Sequence, residues 1–140
     1  MRIKVKYLRD IEPIQLITQG DWIDLRCAER TVLRAGDYRQ IPLGVAMELP
    51  DGYEAIVAPR SSTFARYGII MVNGFGIIDE SYCGDNDEWC FPALATRPVI
   101  IEKNERIAQF RLLWHQPVLE PVTVETLGNA DRGGFGSTGR

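Results

Sequence analysis

At 140 residues, 45% hydrophobic and 25% charged, the chain has the size and composition of one globular domain with a real core. Its net charge of −3 gives no strong pull toward nucleic acid or a membrane surface, and no apolar run reaches the about 18 residues of a membrane span. Cys27, Cys83 and Cys90 match no metal-ligand spacing, so reduced thiols and a cytoplasmic location are expected; His115, the one histidine, cannot by itself build a His-based metal site or a triad.

The start, MRIKVKYL, lacks the apolar core of a signal peptide. Ile3, Val5 and Tyr7 alternate with Lys4 and Lys6, the period of a strand. GDWIDLRCAE, residues 20–29, again mixes apolar and polar residues in extended style. Asp24 lies inside it, and the pattern alone allows either a structural or a functional carboxylate. Gly36-Asp37 marks a turn. Leu43, Val45, Met47 and Leu49 predict a half-buried strand over residues 41–50. Pro50-Asp51-Gly52 then predicts a hairpin turn, with residues 53–58 returning as the partner strand.

APRSSTFARYG, residues 58–68, changes character. Pro59 stops the strand, and residues 63–66 suit one or two helical turns. The hydroxyls before them are either ordinary caps or, with Arg60, part of an anion site.

Residues 72–84, VNGFGIIDESYCG, read as two short extended pieces around a tight turn. Gly74 and Gly76 flank Phe75, Ile77 and Ile78 favour a strand, and Asp79 follows directly on that stiff pair. Such a hairpin can offer backbone N–H and C=O groups to a planar ligand, with an acid at one end and Tyr82 near it. It can equally be a surface hairpin with a solvated carboxylate.

Beyond it, residues 85–88 are acidic and turn-like, and residues 89–95 suit a strand. Residues 98–101 and 106–114 read as a hairpin around 103–105, and residues 118–125 as a last strand. Seven or more short strands with one helical piece predict an all-β sandwich or barrel. Residues 127–140, LGNADRGGFGSTGR, hold five glycines and cannot form a core strand. They suit either a disordered end or a phosphate cradle of N–H groups and hydroxyls.

Five pieces in order, GDWIDLRCAE, APRSSTFARYG, NGFGIIDESYCG, ERIAQF and DRGGFGSTG, resemble the five motifs of the homotrimeric dUTP diphosphatase (dUTPase) family. Their wording is similar to that of enzymes from Gram-positive bacteria and their phages. The resemblance implies a jelly-roll-like β-barrel or sandwich over residues 1–126 and a flexible glycine-rich arm over residues 127–140 that closes over the active site. It implies a homotrimer with sites shared between subunits, and Mg²⁺-assisted attack of water on dUTP to give dUMP and pyrophosphate.

By position, Asp79 would deprotonate the attacking water and Tyr82 would lie against the deoxyribose. Asn73 and the backbone around Gly76 and Ile78 would read the uracil edge. Arg60, Ser61, Ser62 and Gln109 would hold phosphates, and Asp24 would hold a water of the metal shell. Arg132, Phe135, Gly136, Ser137 and Thr138 would close over the substrate. Ser62-Thr63-Phe64, Cys83 and the length of residues 85–89 depart from the family pattern. A dCTP deaminase is similar in its R-S-S segment. It needs a glutamate in the strand after the 72–84 hairpin, and residues 89–94, WCFPAL, have none. A β-module that binds nucleotides or proteins without catalysis is the other alternative.

Overall fold

Residues 1–136 are described by the computed structural model, and their regular structure is eleven strands and one short helix. The strands are β1 (Lys4–Tyr7), β2 (Ile23–Arg26), β3 (Thr31–Leu33), β4 (Tyr38–Pro42), β5 (Val45–Glu48), β6 (Tyr53–Pro59), β7 (Ile69–Met71), β8 (Gly76–Ile78), β9 (Cys90–Ala95), β10 (Val99–Ile101) and β11 (Arg106–Trp114). The helix, α1, is Thr63–Tyr67.

Every strand pairing is antiparallel. One sheet runs β2-β11-β6-β8 and a second runs β4-β9-β7; two-stranded ribbons, β1-β5 and β10-β3, complete the all-β fold. None of these sheets closes on itself. Between them lies a core built on Leu25, Leu33, Ile41, Phe91 and Phe110, with Trp89 edge-on to Phe110 at 5.3 Å between ring centres. That geometry adds a directional contact to the area that both rings bury.

The turns stand where the sequence puts them, but the strands beside them choose other partners. Gly52 takes φ +83° in the reversal at 50–52. Yet β5 pairs with β1, and β6 lies between β11 and β8. β10 likewise pairs with β3 rather than with β11. The 72–84 segment is no two-armed hairpin either. Gly74 turns the chain at φ +74°, with its N–H on the Met71 carbonyl at 3.0 Å, but β7 joins β9 while β8 joins β6. A jelly-roll topology carries the chain from one sheet to another at these corners, so a turn reports a reversal and not a pairing.

Two further expectations are corrected. The strand predicted over 41–50 is split at Gly44, whose φ of +75° breaks the ladder, and β5 is buried on both faces rather than one. Residues 118–125 form no strand. Pro117 and Pro121 lack N–H donors, and Val118, Leu119, Val122 and Val124 are exposed.

Candidate active site

The predicted phosphate-holding residues meet at one end of the four-stranded sheet. Asp24 on β2 stands opposite Gln109 on β11, which stands opposite Ala58 on β6. Pro59 ends β6 and delivers Arg60 to the same corner. The Arg60 Nε donates to Asp24 Oδ1 at 2.8 Å, and the Arg106 Nη1 donates to Asp24 Oδ2 at 3.2 Å. One carboxylate between two guanidinium groups leaves the corner net positive. Gln109 Nε2 donates to the Pro59 carbonyl at 3.1 Å, which fixes the amide and leaves its oxygen as the outward group.

The segment after Arg60 is held by Thr63. Its buried hydroxyl accepts the Arg60 N–H and donates to the Ile107 carbonyl, both at 2.8 Å, so α1 is stapled to β11. Ser62 occupies the N-cap position but makes no side-chain capping bond, which leaves its hydroxyl uncommitted to the helix. Ser61 is exposed beside it. The first alternative for these serines, an ordinary cap, is therefore not what the geometry shows.

The other residues follow β8 along the far side of β6, from Asn73 and Gly76 near its Pro59 end to Asp79 at its opposite end. Gly76 stands opposite Val57, Ile78 opposite Ala55, and Asp79 follows at the level of Glu54. The Asn73 amide nitrogen approaches Gly76, 4.0 Å from where a Cβ would sit there. Tyr82 is part-exposed, and its hydroxyl donates to the Glu88 carbonyl at 3.1 Å, which sets the ring plane. Asp79 lines a cleft with Tyr53, Glu54, Glu80, Trp114 and His115. Ser81 holds the Asp79 carboxyl below the usual carboxylate range, first through its hydroxyl and then through its N–H.

Glu54 and Arg60 are six positions apart on one extended run, so Asp79 and Arg60 lie roughly 20 Å apart along the sheet. A single chain thus brings Asp24, Arg60, Ser61, Ser62 and Gln109 together, and spreads Asn73, Gly76, Ile78, Asp79 and Tyr82 along β8 and the turn that follows it. Arg132, Phe135 and Gly136 are exposed on the segment after residue 127, while Ser137 and Thr138 fall outside the described residues. Arg106 was missed from the sequence reading. A β-bulge between Arg106 and Ala108 turns it toward Asp24, and nothing in ERIAQF announces a bulge.

A model of the dUTPase family matches residues 18–139 of the chain. The chain belongs to the dUTPase family. It is 54% identical over 140 residues to the SPbeta prophage-derived deoxyuridine 5'-triphosphate nucleotidohydrolase of Bacillus subtilis strain 168, covering 99% of each. It is 38% identical over 146 residues to the deoxyuridine 5'-triphosphate nucleotidohydrolase of a Hydrogenobaculum species, again covering 99% of each. Among solved structures, the dUTPase of the Staphylococcus phage 80alpha superposes with a TM-score of 0.80 at 21% identity, covering 97% of this chain and 98% of the other. The dUTPase of phage phi11 of S. aureus, which coordinates a structural Mg(II) ion, superposes at 0.79 with 16% identity, over 91% and 99%. At such identities these two carry the dUTPase jelly-roll fold alone. Within the family frame, the second motif lies at the Pro59 end of β6, and the third runs along β8 to Asp79 at the opposite end.

Proposed function

We propose that the chain hydrolyses dUTP to dUMP and pyrophosphate at sites assembled between the subunits of a homotrimer. The observation that carries this reading is the separation just described. The cationic corner and the carboxylate are each well formed, yet one chain cannot bring both to a single nucleotide. A second copy that sets its Asp79 end against the Arg60 corner completes the site. The exposed apolar side chains of Val118, Leu119, Val122 and Val124, on a segment without a strand partner among the described residues, suit the same assembly.

In the assembled site, Asp79 takes the proton of a water as the water oxygen bonds to the α-phosphorus, and the bond from that phosphorus to the β-phosphate oxygen breaks. Arg60, Arg106 and the hydroxyls of Ser61 and Ser62 offset the negative charge, which phosphoryl chemistry needs more than it needs covalent help. β8 is the edge strand of its sheet, so alternate residues turn N–H and C=O groups outward. A uracil edge, with its donor between two acceptors, matches such a row. Cytosine would leave buried groups unpaired, the mismatch that gives large discrimination. Tyr82 excludes a 2′-hydroxyl by shape. Arg132, Phe135 and Gly136, which follow the β domain of residues 1–126, close over the phosphates; the same role expected of Ser137 and Thr138 falls outside the described residues.

The residues present suit Mg²⁺ held chiefly by phosphate oxygens and waters. Among the described residues no three His, Cys, Asp or Glu side chains cluster as a metal cage, and this ion uses few protein ligands when phosphates supply the rest. Each Asp24 oxygen keeps a lone pair beyond its arginine bond, enough to accept from a metal-bound water. Bound there, Mg²⁺ would neutralise phosphate charge. Among the described residues no helix is long and apolar enough to cross a membrane. The three cysteines are all free, which suits the cytoplasm.

Release of pyrophosphate from dUTP, measured with Mg²⁺ present, tests the reading. Asp79→Asn should bind nucleotide and lose about 10²–10⁴ in rate, the usual worth of a general base. Turnover within about threefold of the parent, a cut-off well under that range, would remove Asp79 from the role. Release of ammonia from dCTP instead would mark a deaminase.

A further inference from the structure

Asp79 leaves the end of β8, and the chain bends so that Ser81 returns beneath its carboxylate. The Ser81 N–H and the Ser81 hydroxyl both donate to Asp79 Oδ1, at 2.8 and 2.5 Å. The two donors take the same oxygen, and Oδ2 accepts from neither. An amide bond of this kind is ordinary in a turn begun by Asp. The hydroxyl is a second donor that the turn itself does not require.

The neighbours of Asp79 leave this task to Ser81. Glu80, next in the chain, points elsewhere: its Oε2 accepts the Gly52 N–H at 3.2 Å and faces His115 Nε2 at 3.4 Å. From β6 the cleft receives Glu54 and the phenol of Tyr53, and from the end of β11 it receives His115. Desolvation works against the charge on Asp79, and a bound triphosphate would disfavour it further. A group that bonds the carboxylate directly counters them.

We propose that Ser81 is a positioning residue for hydrolysis, fixing the Asp79 carboxylate through Oδ1 so that Oδ2 faces the attacking water. The inference rests on Asp79 being the base. Ser81 does not touch the nucleotide in this arrangement; it acts through Asp79. Its bonds also hold Asp79 ionised at lower pH, with the Ser81 hydroxyl the largest cause and charge on His115 a minor one. Loss of the hydroxyl therefore raises the Asp79 pKa, and the acid limb of the rate profile moves up with it.

The experiment compares Ser81→Ala, Ser81→Thr and Asp79→Asn with the parent. It records kcat and KM for dUTP from acidic to mildly basic pH. It also follows the Asp79 carboxyl by ¹³C NMR titration in the protein without nucleotide. Ser81 is exposed, so neither variant disturbs the core. Ser81→Ala should lower kcat roughly tenfold with little change in KM, as loss of orientation at a base does. The acid limb and the NMR midpoint should both rise, and Ser81→Thr, which keeps a hydroxyl, should restore them. If Asp79→Asn is inactive while Ser81→Ala leaves kcat, acid limb and midpoint unmoved, Asp79 stands as the base and the role of Ser81 is overturned. If Asp79→Asn stays active, the base assignment fails and this inference fails with it.

Discussion

Three charged side chains, Arg60, Asp24 and Arg106, define the corner proposed to hold phosphates, and their connectivity says what each would do there. Arg60 spends its Nε on Asp24 at 2.8 Å, while its Nη1 makes only a long contact, 3.5 Å, to the Arg106 carbonyl. The guanidinium is thus oriented by one edge and offers the other. A lysine has a single ammonium in place of a planar fork, so it cannot reproduce the two separately directed edges. Arg60→Lys should keep the fold and raise KM for dUTP by roughly ten- to a hundredfold, since a charge-assisted hydrogen bond is worth about 1.5–3 kcal/mol. Steady-state kinetics at matched Mg²⁺ would measure it, and an unchanged KM would show that Arg60 is not a phosphate ligand. The acids and aromatic of the family motifs were readable because order and spacing survive in one dimension. Arg106 and Ser81 were not, because the first depends on a bulge and the second on how a turn folds back.

At the scale of elements, the short connection from β6 through α1 to β7 places Arg60, Ser61 and Ser62. A helix of five residues has little stability of its own, so tertiary contacts must hold it. The Thr63 hydroxyl supplies one, bridging the Arg60 N–H and the Ile107 carbonyl inside the core. Gly68, at φ +64°, ends the helix with its N–H on the Phe64 carbonyl at 2.7 Å. Thr63→Val preserves shape and removes both hydroxyl bonds. It should cost about 1–3 kcal/mol in urea unfolding, because a buried carbonyl and a part-buried N–H lose their partner. No change in the unfolding midpoint would mean that the staple carries no weight. Strand positions at β1, β2, β6 and β9 were legible from period and from β-branched residues. Their partners were not. Pro50-Asp51-Gly52 and residues 103–105 encode reversals, whereas pairing is settled by which apolar faces meet across the core, as when β1 rather than β6 takes β5.

For the whole molecule, the fold separates what the chemistry must join. The four-stranded sheet holds the cationic corner at one end of β6 and Asp79 at the other, and its stiffness keeps them apart. Under the proposed reading, hydrolysis depends on assembly, and no single chain should be active alone. Family membership and jelly-roll architecture were already present in the five ordered motifs, but the separation of Arg60 from Asp79 along the sheet emerges only from strand register. Refolding Asp79→Asn chains together with Arg60→Ala chains tests the claim most directly, because each parent retains what the other lacks. With sites built between copies, a random equal mixture should regain roughly a quarter of the parental dUTP turnover, as each site draws its two halves from different chains. Turnover no higher than that of either variant alone, in a mixture shown by native mass spectrometry to contain mixed trimers, would contradict a site shared between subunits.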